Sequence, residues 1–272
     1  MKCVKQEEKK MRTYELSLTS NYVMDWNFSM AIRELIQNGV DQQTVDPNDK
    51  FELIYEDGKL YFCNPRSYLK VNTLLLGRSS KTNNNDTVGQ FGEGYKIAAL
   101  VLNRLGKTFI VHNRSKEERW TSRFVNSRRW HDRILVFDVE EHKYKERGLV
   151  IEVGNVTQEE YDLLRNIWLG MHNEYGKIET HYGEILTDDS QKNQIYVNGL
   201  HISCNAEMKY GYNFLPQYLT LERDRKSCDS WDAKYLTSKM LNEAYEKGQL
   251  DNSELFGLIQ DASDDASNIG YN

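Results

Sequence analysis

Hydrophobic and polar positions in the first quarter of the chain follow a helical period and then an alternating one. Apolar residues recur at helical spacing across residues 22–40, which predicts an amphipathic helix. An Asp-Pro-Asn-Asp cluster at 46–49 ends this helix. Two short β-type runs, 51–55 and 60–64, flank a Glu-Asp-Gly turn and predict a hairpin.

A second group of elements follows a polar stretch at 79–86. An apolar helix is predicted at 95–105, directly after a glycine-rich segment, and strand-like runs recur at 108–112, 133–139 and 149–153. Helices separated by several strands predict an α+β fold. We expect an α/β sandwich, in which a mixed and mostly antiparallel sheet carries helices on one face.

The pattern changes near residue 155 and predicts a smaller α/β extension. Thr157 and Glu160 form a capping box, which is expected to open a helix that runs to about residue 171. Asn198-Gly199 separates two β-type runs and predicts a hairpin, and a last amphipathic helix is predicted at 230–247. The expected organisation is a flexible leader at 1–13, a first domain at 14–155, the extension at 156–250 and a frayed acidic tail at 251–272.

Composition narrows the class of protein. The chain has 272 residues with a net charge of −6, and no run approaches the ~18 apolar residues of a membrane span. Four cysteines are scattered without a CxxC pair, which favours reduced thiols over a disulfide framework or a zinc site. We therefore expect a cytoplasmic protein with no membrane partner. The acidic balance does not indicate DNA binding, although it leaves DNA open as a partner.

The first helix carries a polar face with possible chemistry. Glu34, Asn38 and Asp41 stand at i, i+4 and i+7, so their side chains share one side of the helix. Such a trio can bind a hard cation through the asparagine and activate a water with the glutamate. Taken alone, the same pattern is more typical of a solvated stripe on a surface helix.

A glycine-rich segment before the second helix changes this balance. Glycines at 89, 92 and 94 give backbone freedom and N–H donors where anions bind best. No Gly-Lys-Ser/Thr closes the segment, so it is not a Walker A loop. It follows a polar loop and not a strand, so it is also unlike a dinucleotide-binding fingerprint.

Together the two segments resemble the GHKL ATPases, the superfamily of gyrase B, Hsp90, MutL, the MORC proteins and histidine kinases. Residues 33–41, Arg-Glu-Leu-Ile-Gln-Asn-Gly-Val-Asp, resemble the N-box of that superfamily. Residues 88–96, Val-Gly-Gln-Phe-Gly-Glu-Gly-Tyr-Lys, resemble the second glycine box of Hsp90-like and MORC-like members. The order of the two boxes agrees as well. The resemblance covers about residues 14–153 and implies a Bergerat-type sandwich that binds ATP and Mg²⁺.

The resemblance also implies roles for individual residues. Glu34 would activate the attacking water, and Asn38 would hold Mg²⁺ between the phosphates. The presence of this glutamate favours the hydrolysing members over the histidine kinases. Further nucleotide contacts are implied for the glycine box and for an ATP lid before it, namely Gly89, Gln90, Phe91, Gly92, Gly94 and Lys96 in the box and Ser79, Ser80 and Lys81 in the lid.

The chain departs from the superfamily at the first glycine box. Residues 63–68 read Cys-Asn-Pro-Arg-Ser-Tyr, so Asn64 stands where the adenine-reading aspartate belongs and both glycines are missing. The carbonyl of Asn64 can still accept from an adenine amino group, and Asp41 is a second candidate through a water. The superfamily's third motif survives only as Gly148-Leu149.

Two basic regions remain open to a functional or a plain structural interpretation. In many GHKL ATPases a following domain supplies a cation to the γ-phosphate, and Arg225 and Lys226 are candidates here; a solvated charged turn is equally consistent. Trp120, Trp130 and the Arg128-Arg129 pair could form a contact surface, although a rim of the sheet is the plainer interpretation.

The resulting functional prediction is Mg-dependent ATP binding with slow hydrolysis. Nucleotide would close the lid and drive a conformational switch, an ATP-dependent homodimer or contact with a protein partner. One alternative is a degenerate nucleotide-sensing module without turnover. Another is the ATPase subunit of a DNA-processing complex.

Overall fold

The computed structural model describes residues 11–75, 94–172, 174–219 and 230–269, without the side chains of residues 230 and 231. The chain divides into two compact units, Met1–Leu164 and Arg165–Asn272. This division lies nine residues beyond the change of pattern near residue 155. The two units are described separately.

In its described residues, the first unit is built on a seven-stranded sheet with three α-helices. Its strands, in chain order, are β1 (Arg12–Thr19), β2 (Glu52–Glu56), β3 (Lys59–Asn64), β4 (Thr108–Asn113), β5 (Glu118–Ser127), β6 (Asp132–Glu141) and β7 (Leu149–Gly154). Its helices are α1 (Phe28–Val45), α2 (Gly94–Arg104) and α3 (Gln158–Asp162). The strand order is β1-β6-β5-β4-β7-β3-β2, and every pairing is antiparallel.

The core of this unit lies between the sheet and helices α1 and α2. Ile32 and Ile36 of α1 and Leu100 of α2 are fully buried. Alternate residues of β4, such as Phe109, are buried against them. The expected α/β sandwich is therefore confirmed. Trp120 is also fully buried, so it cannot belong to a contact surface.

Two strands of this sheet were not expected. β1 starts at Arg12, inside the stretch expected to be a flexible leader, and its Leu16 and Leu18 are buried. β5 was missed because mostly polar side chains lie on the face of the strand opposite Trp120, so the sequence shows no continuous apolar run. Both strands pair with β6, from opposite sides, and β5 pairs with β4 as well.

Helix α1 begins at Phe28, six residues later than expected. Asn27 caps it, because the Asn27 side chain accepts from the backbone N–H of Met30 at 3.0 Å. Residues 20–26 instead form a loop fixed by the guanidinium of Arg104. That group donates to the four main-chain carbonyls of Ser20, Tyr22, Val23 and Trp26.

The second unit contains a five-stranded sheet. Its strands are β8 (Lys177–Thr180), β9 (Gly183–Leu186), β10 (Gln194–Val197), β11 (Leu200–Cys204) and β12 (Gly211–Phe214), in the spatial order β11-β10-β12-β9-β8. Only the β10–β12 pair among these is parallel. The predicted Asn198-Gly199 hairpin is confirmed. Both residues have positive φ, 51° and 76°, as a tight two-residue turn requires.

Helical predictions in the second half were partly wrong. The Thr157–Glu160 capping box forms, but α3 ends at Asp162 and only short 3₁₀ turns follow as far as Met171. The expected last helix is present as α4 (Ser230–Glu246). The tail is not frayed: α5 (Asn252–Gln260) is capped by Asp251.

The C-terminal segment is tied to β12 by a buried carboxylate. Asp265 is fully buried and accepts from the Tyr212 hydroxyl at 2.9 Å and from the Lys209 N–H at 3.0 Å. A carboxylate buried in this way is held by its donors, because its desolvation would otherwise oppose folding. Across the described ranges, no helix combines the length and apolarity needed to cross a bilayer.

Candidate functional site

Helix α1 turns its polar face away from the sheet. Its apolar positions, such as Ile32 and Ile36, are buried, and Glu34 and Asn38 project from the other side, partly exposed. The Nδ2 of Asn38 donates to the main-chain oxygen of Glu34 at 2.7 Å. The Oδ1 of Asn38 is therefore the side-chain atom whose lone pairs suit a hard cation.

The first residue of α2 lies directly against this pair. A Cβ on Gly94 would overlap the Oε2 of Glu34 and would lie 3.2 Å from the Nδ2 of Asn38. Only glycine leaves room for both side chains at this position. Because Gly94 opens an eleven-residue helix, the positive end of the α2 dipole faces the Glu34 carboxylate. The end of the glycine segment and the polar face of α1 thus meet.

Two further side chains on this face of α1 are completely buried. Asp41 follows Asn38 by one turn, and Gln37 stands three residues after Glu34. Neither amide atom of Gln37 has a hydrogen-bond partner within the described part of the chain. Buried amides normally make hydrogen bonds, so Gln37 has a donor and an acceptor to offer on this face of α1. Gln37 was not among the predicted site residues, although its spacing from Glu34 already placed it on this face.

Asn64 lies at the end of β3, against the middle of α1. Its Nδ2 donates to the main-chain oxygens of Gly39 at 3.3 Å and Asp49 at 3.2 Å. The donors of Asn64 therefore serve the fold. The Oδ1 is the atom that could accept from a nucleobase. Adenine recognition by Asn64 stays a prediction.

The segment that replaces the first glycine box is held by a carboxylate that sequence reasoning missed. Asp49 is almost fully buried and accepts from the backbone N–H of Arg66 at 2.6 Å and from the Ser67 hydroxyl. Gly148 supports the same segment with a φ of +105°, and a Cβ there would approach the Pro65 main chain to 2.8 Å. The turn cluster at 46–49 gave no signal that singled out Asp49.

Lys96 follows Tyr95 in α2, and its side chain is fully buried. Its Nζ donates to the main-chain oxygens of Thr73 at 2.9 Å and Leu75 at 2.8 Å. The Tyr95 hydroxyl lies 2.9 Å from the Thr73 hydroxyl, and burial raises the pKa of this phenol despite that hydrogen bond. Both side chains fasten residues 73–75 to α2. A nucleotide contact by Lys96 stays a prediction.

The remaining predicted contacts lie outside the described residues. These are Ser79, Ser80, Lys81, Gly89, Gln90, Phe91 and Gly92 in the lid and glycine box, and Arg225 and Lys226 in the second half.

The residues that are described fit magnesium and a polyphosphate. The amide oxygen of Asn38 is an oxygen ligand of the kind that Mg²⁺ takes, and the Glu34 carboxylate beside it can accept a proton from a water. A helix N-terminus without a Cβ at its first residue suits an anion that must approach the main chain. The orphaned amide of Gln37 supplies both a donor and an acceptor beside them.

Fold and site therefore define an α/β sandwich with a Glu–Asn helix set against the glycine start of a second helix. In comparisons with known proteins, the family model described as Mycoplasma pneumoniae MPN635 N-terminal domain matches residues 159–247. An uncharacterized protein of Mycoplasma pneumoniae is 25% identical over 235 residues, which are 81% of this chain and 94% of that protein.

A solved structure with partial similarity comes from Balamuthia mandrillaris. It holds the ATPase and transducer domains of DNA topoisomerase II, with 13% sequence identity and a TM-score of 0.39. The match covers 71% of this chain and 67% of that one. A TM-score of this size does not establish a shared fold.

Proposed function

We propose that this chain binds Mg-ATP on the polar face of α1 and hydrolyses it slowly. The observation that carries the proposal is the close approach of Gly94 to Glu34 and Asn38. It joins a candidate base, a candidate cation ligand and a helix N-terminus within one small space. The resemblance of both segments to the GHKL boxes supports the same assignment.

Each residue has a defined task in this proposal. The Glu34 carboxylate accepts a proton from a water as the water oxygen attacks the γ-phosphorus and ADP leaves. Asn38 would hold the metal through Oδ1, and bound Mg²⁺ would offset the charge of the phosphates. Asp41 would accept from the adenine amino group through a water. The absent side chain of Gly94 lets a phosphate approach the start of α2.

The proposal extends to a conformational switch. Lys96 and Tyr95 fasten residues 73–75 to α2, so movement of α2 would be passed to this segment. Closure of the nucleotide site on ATP would create a surface that contacts a second copy of the chain or a protein partner. Light scattering with and without a non-hydrolysable ATP analogue tests the first possibility, and one unchanged monomer mass would exclude it.

A nucleotide sensor without turnover is the second candidate. The observation that favours it is Asn64, whose NH₂ group is committed to main-chain carbonyls in place of the charged aspartate of the superfamily. Without the charged aspartate, the site would hold the adenine ring less firmly than other members of the superfamily do. Binding and turnover must therefore be measured separately.

The decisive experiment compares wild type with Glu34→Gln for Mg-dependent ATP binding by calorimetry and for phosphate release. If Glu34 is the base, the variant binds ATP and its turnover falls by about 100-fold or more. Glu56→Gln, an exposed carboxylate at the end of β2, serves as the matched control and should behave as wild type. Binding without phosphate release in all three proteins would establish the sensor. Absence of Mg-ATP binding in wild type would refute the nucleotide site.

A further inference from the structure

We infer that the tip of the β5–β6 hairpin binds single-stranded nucleic acid. The tip comprises residues 127–133, with the sequence Ser-Arg-Arg-Trp-His-Asp-Arg. It belongs to the first unit and includes none of the residues assigned to the α1–α2 site. It is called the arginine tip below, and its candidate contact residues are Arg128, Arg129, Trp130 and Arg133.

Strand register shows that the arginine tip projects beyond the neighbouring strands. β5 and β6 stay paired as far as Ser127 opposite Asp132. On one side, the pairing of β4 with β5 reaches only to Thr121, and on the other the pairing of β1 with β6 stops at Ile134. Beyond Thr121, β5 thus has no partner strand on its β4 side among the described residues, whereas β6 stays paired with β1 up to Ile134. Residues 128–131 form the turn beyond these pairings, and all four are exposed.

The tip carries positive charge that no carboxylate in the described part of the chain pairs with. Farther along β5, arginines are paired across the sheet, as Arg123 is with Asp138 at 2.5 Å. By contrast, no carboxylate of the described residues lies within ion-pairing distance of the three tip arginines, Arg128, Arg129 and Arg133. The carboxylate within the tip, Asp132, accepts instead from the backbone N–H of Arg133 at 2.6 Å. A local excess of arginine on a chain of net charge −6 favours an anionic partner at this place.

Exposed rings accompany these charges. The Trp130 side chain is 48% exposed, and the Arg129 guanidinium lies 4.8 Å from the centre of its ring. The loop 20–26 adjoins the tip, because the N–H of Ser20 donates to the Arg133 carbonyl at 2.8 Å. That loop, fixed by Arg104, exposes Tyr22 by 46%. Its own carboxylate, Asp25, is the acidic group that a polyanion would meet here.

This combination suits a single strand better than other anionic partners. Arginine donates in a planar fork to phosphate oxygens, and an exposed indole can stack on a base of any sequence. A duplex keeps the faces of its bases covered, so it would use the arginines and leave Trp130 without a role. An acidic protein segment would likewise use the charges and not the ring.

The test is fluorescence anisotropy of a labelled 20-nucleotide oligothymidylate at 50–200 mM salt, without ATP. Arg128→Glu/Arg129→Glu should weaken binding at least tenfold and reduce the slope of log affinity against log salt by about 1.4. Lys143→Glu/Lys145→Glu makes the same change of charge at exposed positions after β6 and should cost much less. Trp130→Ala should weaken binding about fivefold or more, because a base loses its stacking surface.

Three outcomes would overturn the inference. They are no binding by wild type at 50 mM salt, equal losses in the tip and lysine variants, and an unchanged affinity in Trp130→Ala. If polyglutamate displaces the oligonucleotide at equal charge concentration and Trp130→Ala is unaffected, the tip is a surface for an acidic protein. Glu34→Gln should bind the oligonucleotide as wild type does, which separates this surface from the ATP proposal. Circular dichroism confirms that each variant is folded.

Discussion

Gly94→Ala offers the sharpest test of the site, because it should damage function and spare stability. The new Cβ would overlap the Oε2 of Glu34, so this carboxylate would have to move by about 1 Å to restore a normal contact. The atom that must move is the end of a flexible side chain, so the cost to the fold is small. Alanine also suits a helix better than glycine, which offsets part of that cost.

The expected stability change is therefore within about 1 kcal/mol of wild type. A displacement of about 1 Å in a catalytic group, by contrast, can lower turnover by roughly 100-fold. Stability is measured by urea unfolding, and turnover by phosphate release at saturating Mg-ATP. Binding of Mg-ATP by calorimetry shows whether the phosphate pocket itself is narrowed.

Gly257→Ala is the matched control, because a Cβ there meets nothing within 4 Å in the helix α5. It should leave turnover at the wild-type value and keep or raise stability by up to about 1 kcal/mol, because alanine is the better helix former. Full activity in Gly94→Ala would refute the reasoning. It would mean that displacing the Glu34 carboxylate with a Cβ at residue 94 does not affect turnover. A large loss of stability would show that Gly94 is a packing residue and not a part of the site.

Further predictions concern stability. Asp265→Ala leaves the donors of Tyr212 and of the neighbouring main chain buried without an acceptor, and should lower the free energy of unfolding by about 3 kcal/mol in urea titration. Gly148→Ala combines a φ of +105° with a close approach to the main chain, so it should lower the melting temperature more than Gly248→Ala, where φ is +70° and the space is open. Burial raises the pKa of Glu152, but hydrogen bonds from Lys59 and His112 outweigh this and hold it below the usual 4.5. The stabilisation from Glu152 is therefore complete above pH 4.5 and is lost as pH falls through the lowered pKa. In urea titrations from pH 7 to 3, the free energy of unfolding of Glu152→Gln should fall less steeply at the acid end than that of wild type. An equal fall in both proteins would contradict this.

Elements with strong local signals were predicted correctly. The Asn198-Gly199 turn requires positive φ at both residues, and the Thr157–Glu160 capping box closes within four residues. Helix α2 was located within one residue at each end because its apolar positions are dense. In each case the determining contacts lie close together along the chain.

Elements that depend on distant partners were missed. β5 has a polar outer face, on which Arg123 is neutralised by Asp138 of β6, so its alternation does not stand out in the sequence. The tail looked too acidic and too small in its side chains to be ordered. Yet Asp265 is buried beneath Tyr212. Charge and small size predict disorder only when no distant donor satisfies the carboxylate.

The sequence alone determined that Glu34 and Asn38 share a helical face, because helical geometry fixes residues four apart. It also determined that a glycine-rich segment leads into the second helix. Only the tertiary structure decided that Gly94 lies against that pair, that the amide of Gln37 is buried with no hydrogen-bond partner among the described residues, and that the donors of Asn64 serve the main chain. The reason is physical: a helix places its own side chains, whereas the approach of two helices depends on packing against a sheet whose strands come from the whole first unit.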